Sequence, residues 1–148
     1  MRCLMKKPYP LFVPPGALGE KRARDRSHAE ASEYAAWFHE ARSERVAALA
    51  DWFGVKDGVD AATLLGILDG KAAAAIVAPP FSSDGTLTNA GYALGADMGL
   101  LLAAALSEKR TDLRWEIMQR PKTAASFQQP VLVGLWSAPF DPVAIGVA

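Results

Sequence analysis

The sequence predicts an α+β fold: helices packed on a small antiparallel sheet, with a central glycine-striped buried helix. Three observations predict it. Apolar residues recur at helical spacing from Ala31 to Trp52. Residues 90–106 form an almost unbroken apolar tract punctuated by Gly91, Gly95 and Gly99. The stretch 113–118 then alternates apolar with polar before a second apolar run at 130–136. At 148 residues, 51% of them hydrophobic and 22% charged, the chain reads as one globular domain. A chain of that size buries ~70% of the surface exposed on unfolding, so neither a disulfide nor a metal is needed to hold it.

Formal net charge is zero, with 16 basic and 16 acidic side chains, which removes the broad electrostatic attraction that nucleic-acid binding depends on. The charge is unevenly placed. Residues 1–30 carry seven Lys or Arg against three acids, leaving an acidic remainder. The prolines at 8, 10, 14 and 15 break what would otherwise resemble the start of a secretory leader, and they make residues 1–26 an extended, basic, proline-rich arm. A single domain is expected over 27–148. The lone Cys3 can form no intramolecular disulfide, in keeping with the expected cytoplasmic location.

The first helix opens at Ser27, which with Glu30 forms a capping box, and it runs to about Phe53, where Gly54 supplies the stop. Ala31, Tyr34, Phe38, Ala41, Leu49 and Trp52 line its apolar stripe. Arg45 falls inside that stripe. Its guanidinium either snorkels to water, the commoner outcome, or meets a carboxylate from another element. Glu33, Glu40, Glu44 and Asp51 lie on the flank, and Trp37 stands among them as a candidate partner-binding anchor or as rim packing. The segment HEARSE at 39–44 is not a zinc-protease helix, because Ser43 stands where the second histidine is required. With only His28 and His39 in the chain, no metal site, cofactor or Ser-His-Asp system is expected.

Asp60 caps a short second helix that Gly70 ends, and residues 72–80 read as a buried strand or apolar connector. Asp84, Gly85, Thr86, Leu87 and Thr88 resemble part of the signature of haloacid-dehalogenase-like phosphohydrolases. Ser82 occupies the place of that family's nucleophilic aspartate, and the acids after Thr88 are scattered, so SSDG is read as a turn. Thr88 or Asn89 then caps the glycine helix. From Ala90 to Leu106 it has 17 residues with Asp97 near the centre, short of the ~20 apolar residues of a membrane span. Each glycine costs about 1 kcal/mol relative to alanine inside a helix, so close approach of another backbone must compensate. Asp97 either reaches solvent or pairs with a cation, for which Arg45 is the candidate.

Leu113, Trp115 and Ile117 alternate with Arg114, Glu116 and Met118 as a half-buried strand, which pairs with 130–136 through a polar loop. Pro130 sits at the strand start, where a missing donor matters least. Asp141 caps a last helix with Pro142 at its first position. The order glycine helix with LGADMG, strand with LRW, second strand and DP helix, over residues 87–143, resembles small bacterial domains, some of them similar to immunity or accessory proteins of toxin systems.

These readings lead to a non-catalytic protein that binds another protein through Glu33, Trp37, Glu40 and Glu44, an immunity-type or accessory role being what the resemblance implies. The alternative is a small-molecule-binding protein or enzyme. Its pocket would lie between the central helix and the C-terminal hairpin, with Arg45, Asp97, Arg114 and Glu116 converging there. A homodimer is the third expectation. Nucleic acid and membrane are not expected as partners.

Overall fold

The computed structural model describes residues 9–11, 13–56, 58–71, 88–135 and 138–147. Their elements are α1 (His28–Trp52), α2 (Ala61–Lys71), α3 (Asn89–Lys109), β1 (Arg114–Ile117), β2 (Pro130–Val133) and α4 (Pro142–Val147). Two 3₁₀ turns, Gly16–Gly19 and Ala23–Asp25, precede α1. The architecture is α+β, with the two strands paired antiparallel so that Trp115 faces Leu132 and Glu116 faces Val131.

Local chemistry sets most of the boundaries. Ser27 Oγ accepts from the Glu30 amide at 3.1 Å, and the Glu30 carboxylate accepts from the Ser27 amide at 3.0 Å, which completes the capping box. At the other end Gly54 takes a left-handed φ of 73°. Its amide donates to the Asp51 carbonyl at 3.0 Å and that of Val55 to Ala50 at 2.9 Å, the paired bonds of a Schellman stop. Asp60 Oδ1 accepts from the Thr63 amide at 2.7 Å, and Asp141 Oδ1 accepts from Ala144 at 3.1 Å. Thr88 Oγ1 caps α3 through the Gly91 amide at 3.0 Å.

Three boundaries differ from the sequence reading. Helix α2 continues through Gly70 to Lys71, because glycine weakens a helix without ending it. Helix α3 reaches Lys109 and so has 21 residues rather than 17, which makes it long and apolar enough by length and composition to cross a membrane. The strands are only four residues each; β2 stops before Gly134, whose φ of 106° turns the chain away. The connector at 72–80 and the phosphohydrolase-like residues 84–87 lie outside the described residues, as does Cys3.

Helix α3 is the centre of the fold. It packs against α1, α2 and, most extensively, α4. Its faces feed three apolar clusters: Ala93 and Leu101 meet Leu49, Leu64 and Leu68; Leu100 meets Leu18, Tyr34 and Phe38; Ala103 meets Leu132 and Phe140. Phe38, Leu49, Leu68, Leu101 and Leu132 are fully buried, each contributing ~1.5–3 kcal/mol by removal from water. Gly99 is buried, and Gly91 and Gly95 are half-buried, beside the buried Ala93, Ala96 and Ala103.

Residues 9–26, read from the sequence as an arm, add Tyr9, Leu18, Ala23 and Arg26 to the buried interior. The Gln128 side-chain amide, in a residue held at φ 64°, donates to the carbonyls of Ala23 and Arg26 at 2.9 and 2.7 Å and ties this segment to the hairpin loop.

Candidate functional site

The sequence singles out two residue sets, and the fold treats them differently. Arg45 and Asp97 come together. The guanidinium reaches across from α1 to α3, Nε donating to one carboxylate oxygen at 2.8 Å and Nη2 to the other at 2.7 Å. Asp97 has no exposed side-chain surface and Arg45 only 12%, so the pairing alternative holds and snorkelling does not. The reason is competition for a buried charge: Asp97 sits mid-helix in an apolar face, and a carboxylate there needs donors. Tyr9 supplies another through its hydroxyl. Arg45 also donates to the carbonyls of Leu11 and Pro10 at 3.0 and 2.8 Å, so this knot straps the N-terminal segment across α1 and α3.

Burial pushes the Asp97 carboxyl above its ordinary value, against the opposing pull of Arg45 and Tyr9. The Tyr9 phenol is driven upward as well, first by burial and then by the adjacent carboxylate, so it stays a donor. Arg45 and Asp97 thus engage each other, Tyr9 and two backbone carbonyls, which holds the N-terminal segment against α1 and α3.

Arg114 and Glu116, the other half of the expected cluster, lie on the outward face of β1. They pair with each other at 2.8 Å while 67% and 49% of their side chains remain exposed. The four residues thus form two pairs in opposite surroundings, one interior and one in water.

The partner-binding set lies along one side of α1, because 33, 37, 40 and 44 follow the i, i+4, i+7, i+11 spacing of a helix face. Glu33, Glu40 and Glu44 are exposed. Trp37 is half-buried, its ring 5.4 Å from that of Tyr34 at a tilt of 54°, and it packs on the Leu18–Tyr34–Phe38–Leu100 cluster. The ring of Trp37 packs at the rim of the core, and the exposed acids share its side of the helix by position. Glu33 also borders a cleft of about 280 Å³ beside Leu18, Lys21 and Glu30.

A groove lined by none of the four residues expected to converge opens on the other flank of α1, between α1, α3 and β1. It measures about 510 Å³, and Arg42, Val46, Leu100, Ala104, Ser107 and Trp115 line it. Ser43 and Glu108 complete the rim. Arg42 lies over the Trp115 ring, 4.9 Å from its centroid, and burial lowers its guanidinium from the usual value. His39 stands beside it, 5.9 Å from the Trp115 ring, with Nδ1 buried and unpartnered among the described residues; burial and then the Arg42 charge hold its pKa below 6.5. The Glu108 carboxylate is occupied with α2, which it caps: its two oxygens accept from the Ala61 and Ala62 amides at 2.8 and 3.2 Å.

Sequence reasoning missed Tyr9, Arg42 and Trp115 as members of these sites. For Arg42 the available signal was its place between Phe38 and Val46 at i+4 spacing on the edge of the apolar stripe. Tyr9, flanked by prolines, offered no periodicity to read. Among the described residues no three His, Cys, Asp or Glu side chains gather in a way that could hold a metal ion. Comparison with known protein families, characterised proteins and solved structures gives no match for this chain.

Proposed function

We propose that this is a non-catalytic, cytoplasmic protein that binds another protein through the outer side of α1. The observation that carries the reading is the ridge of Glu33, Glu40 and Glu44, all exposed, around a half-buried Trp37. Glu40 and Glu44 are like charges at i, i+4, an arrangement that costs an isolated helix a few tenths of a kcal/mol (~0.2–0.5). A basic partner surface relieves that repulsion on binding, and an aromatic fixed from beneath is a low-entropy anchor for it. The immunity-type form of the proposal is an acidic face that blocks a basic surface of a toxin; it rests on the resemblance of residues 87–143 and on this charge pattern.

The test is affinity capture from the native host with three baits: the natural chain, Trp37→Ala, and Glu40→Lys/Glu44→Lys. A basic protein retained by the natural chain, weakened by Trp37→Ala and lost on charge reversal supports the proposal, provided circular dichroism shows the variants folded. Equal retention by all three baits, or nothing above background, sinks it.

A further inference from the structure

The groove on the opposite flank of α1 carries a guanidinium whose N–H edge its own walls leave without an acceptor. Among the described residues Arg42 donates no hydrogen bond and joins no ion pair; its contact is with the face of Trp115 at 4.9 Å. The acid sharing the rim, Glu108, has both oxygens engaged on the α2 amides at 2.8 and 3.2 Å. The floor is apolar, built from Val46, Leu100 and Ala104. A guanidinium resting on an aromatic face keeps its N–H edge available, and that edge matches a carboxylate in a two-bond fork. The volume of about 510 Å³ falls within the range of sites that take small organic ligands, on the order of 300–1,000 Å³.

We propose that this groove binds a small monocarboxylate with an alkyl or aryl body. Its carboxylate lies on Arg42 with the Ser107 hydroxyl as an additional donor, and its body lies along Val46, Leu100 and the Trp115 ring. The open N–H edge of Arg42 selects an anionic head group. The apolar floor selects an organic acid over an inorganic one, since phosphate would leave that surface unused and lose its own hydration. The site lies on a different flank of α1 from the acidic ridge and does not depend on the protein-binding proposal.

The experiment follows the indole N–H resonance of Trp115, assigned through Trp115→Phe, while the full chain is titrated with 3-phenylpropionate, octanoate, 3-phenylpropionamide or sodium phosphate. The expected result is saturable movement with at least one of the two carboxylates. The neutral amide and phosphate should bind about tenfold more weakly or not at all, and Arg42→Gln should lose about tenfold in affinity, the equivalent of one charge-assisted pair. Should Arg42→Gln not fold, the acid-against-amide comparison on the natural chain decides alone. No saturation by either carboxylate up to about 10 mM, equal binding of the amide, equal binding of phosphate or unchanged affinity in Arg42→Gln would each overturn the proposal. Glu40→Lys/Glu44→Lys should keep the carboxylate affinity, so failure of the protein-binding proposal and failure of this one are read separately.

Discussion

Arg45–Asp97 and Arg114–Glu116 are the same chemistry at nearly the same length, 2.7 and 2.8 Å, yet they do opposite work. The first joins two helices at the centre of the fold with its carboxylate sealed from water; the second joins next-but-one residues on the open face of a strand. Water decides the difference. In the interior a charge without its partner has no substitute donors, so the pair becomes indispensable once one member is present, even where an apolar pair would serve as well. On the strand, water replaces either partner as soon as it leaves.

The interior pair therefore supplies the largest expected effect. Asp97→Ala strands the Arg45 guanidinium and leaves the Tyr9 hydroxyl without its acceptor, and should destabilise the fold by about 3–5 kcal/mol in chemical denaturation. Removing the whole knot at once sharpens the comparison. Tyr9→Phe/Arg45→Met/Asp97→Leu leaves none of those polar groups behind and should recover most of that loss, ending within about 1–2 kcal/mol of the natural chain. If the triple variant is as unstable as Asp97→Ala, the knot stabilises in its own right, beyond the cost of stranding a buried charge.

The same contrast explains how much was legible in the sequence. Signals confined to one turn of chain were readable: Ser27 with Glu30, Gly54 after α1, Asp60, and Asp141 with Pro142 each act within a few residues, and each stands where it was expected. The α+β class followed from the change of apolar period between residues 31–52 and 113–118. Asp97 was noticeable as the one strongly polar residue in an apolar helix, and Arg45 as a charge inside an apolar stripe. Their mutual bond spans 52 positions, and the Tyr9 bond to Asp97 spans 88, distances over which no local pattern carries information. The groove was invisible for the same reason. Arg42 and Trp115 acquire meaning only once α1 and β1 are laid side by side.

His39 stands between the two extremes, half-buried against Phe38 and Trp115. Its folded-state pKa lies below 6.5, from burial first and the Arg42 charge second, so the folded chain binds a proton there less readily than the unfolded chain. The contribution is complete above pH 6.5 and is lost as pH falls through the folded value. Stability measured from pH 7 toward pH 5.5 should decline, before the carboxylates lowered in the fold, such as Glu30 and Asp112, begin to titrate. In His39→Phe, which keeps a ring against Phe38 and Trp115, that decline should flatten. An unchanged slope would assign the acid sensitivity to another group.

The smallest effect belongs to the strand. A double-mutant cycle on Arg114→Ala and Glu116→Ala should return a coupling of about 0–0.5 kcal/mol at low salt, falling further at high salt, because both side chains are solvated before and after the change. The magnitude matters less than the salt dependence. A screened coupling means that water and ions already stand in for each partner, the condition that Asp97 lacks. A coupling above about 1 kcal/mol that persists in salt would show the outer face of β1 to be drier than its exposure implies, and burial would no longer be what separates the two pairs.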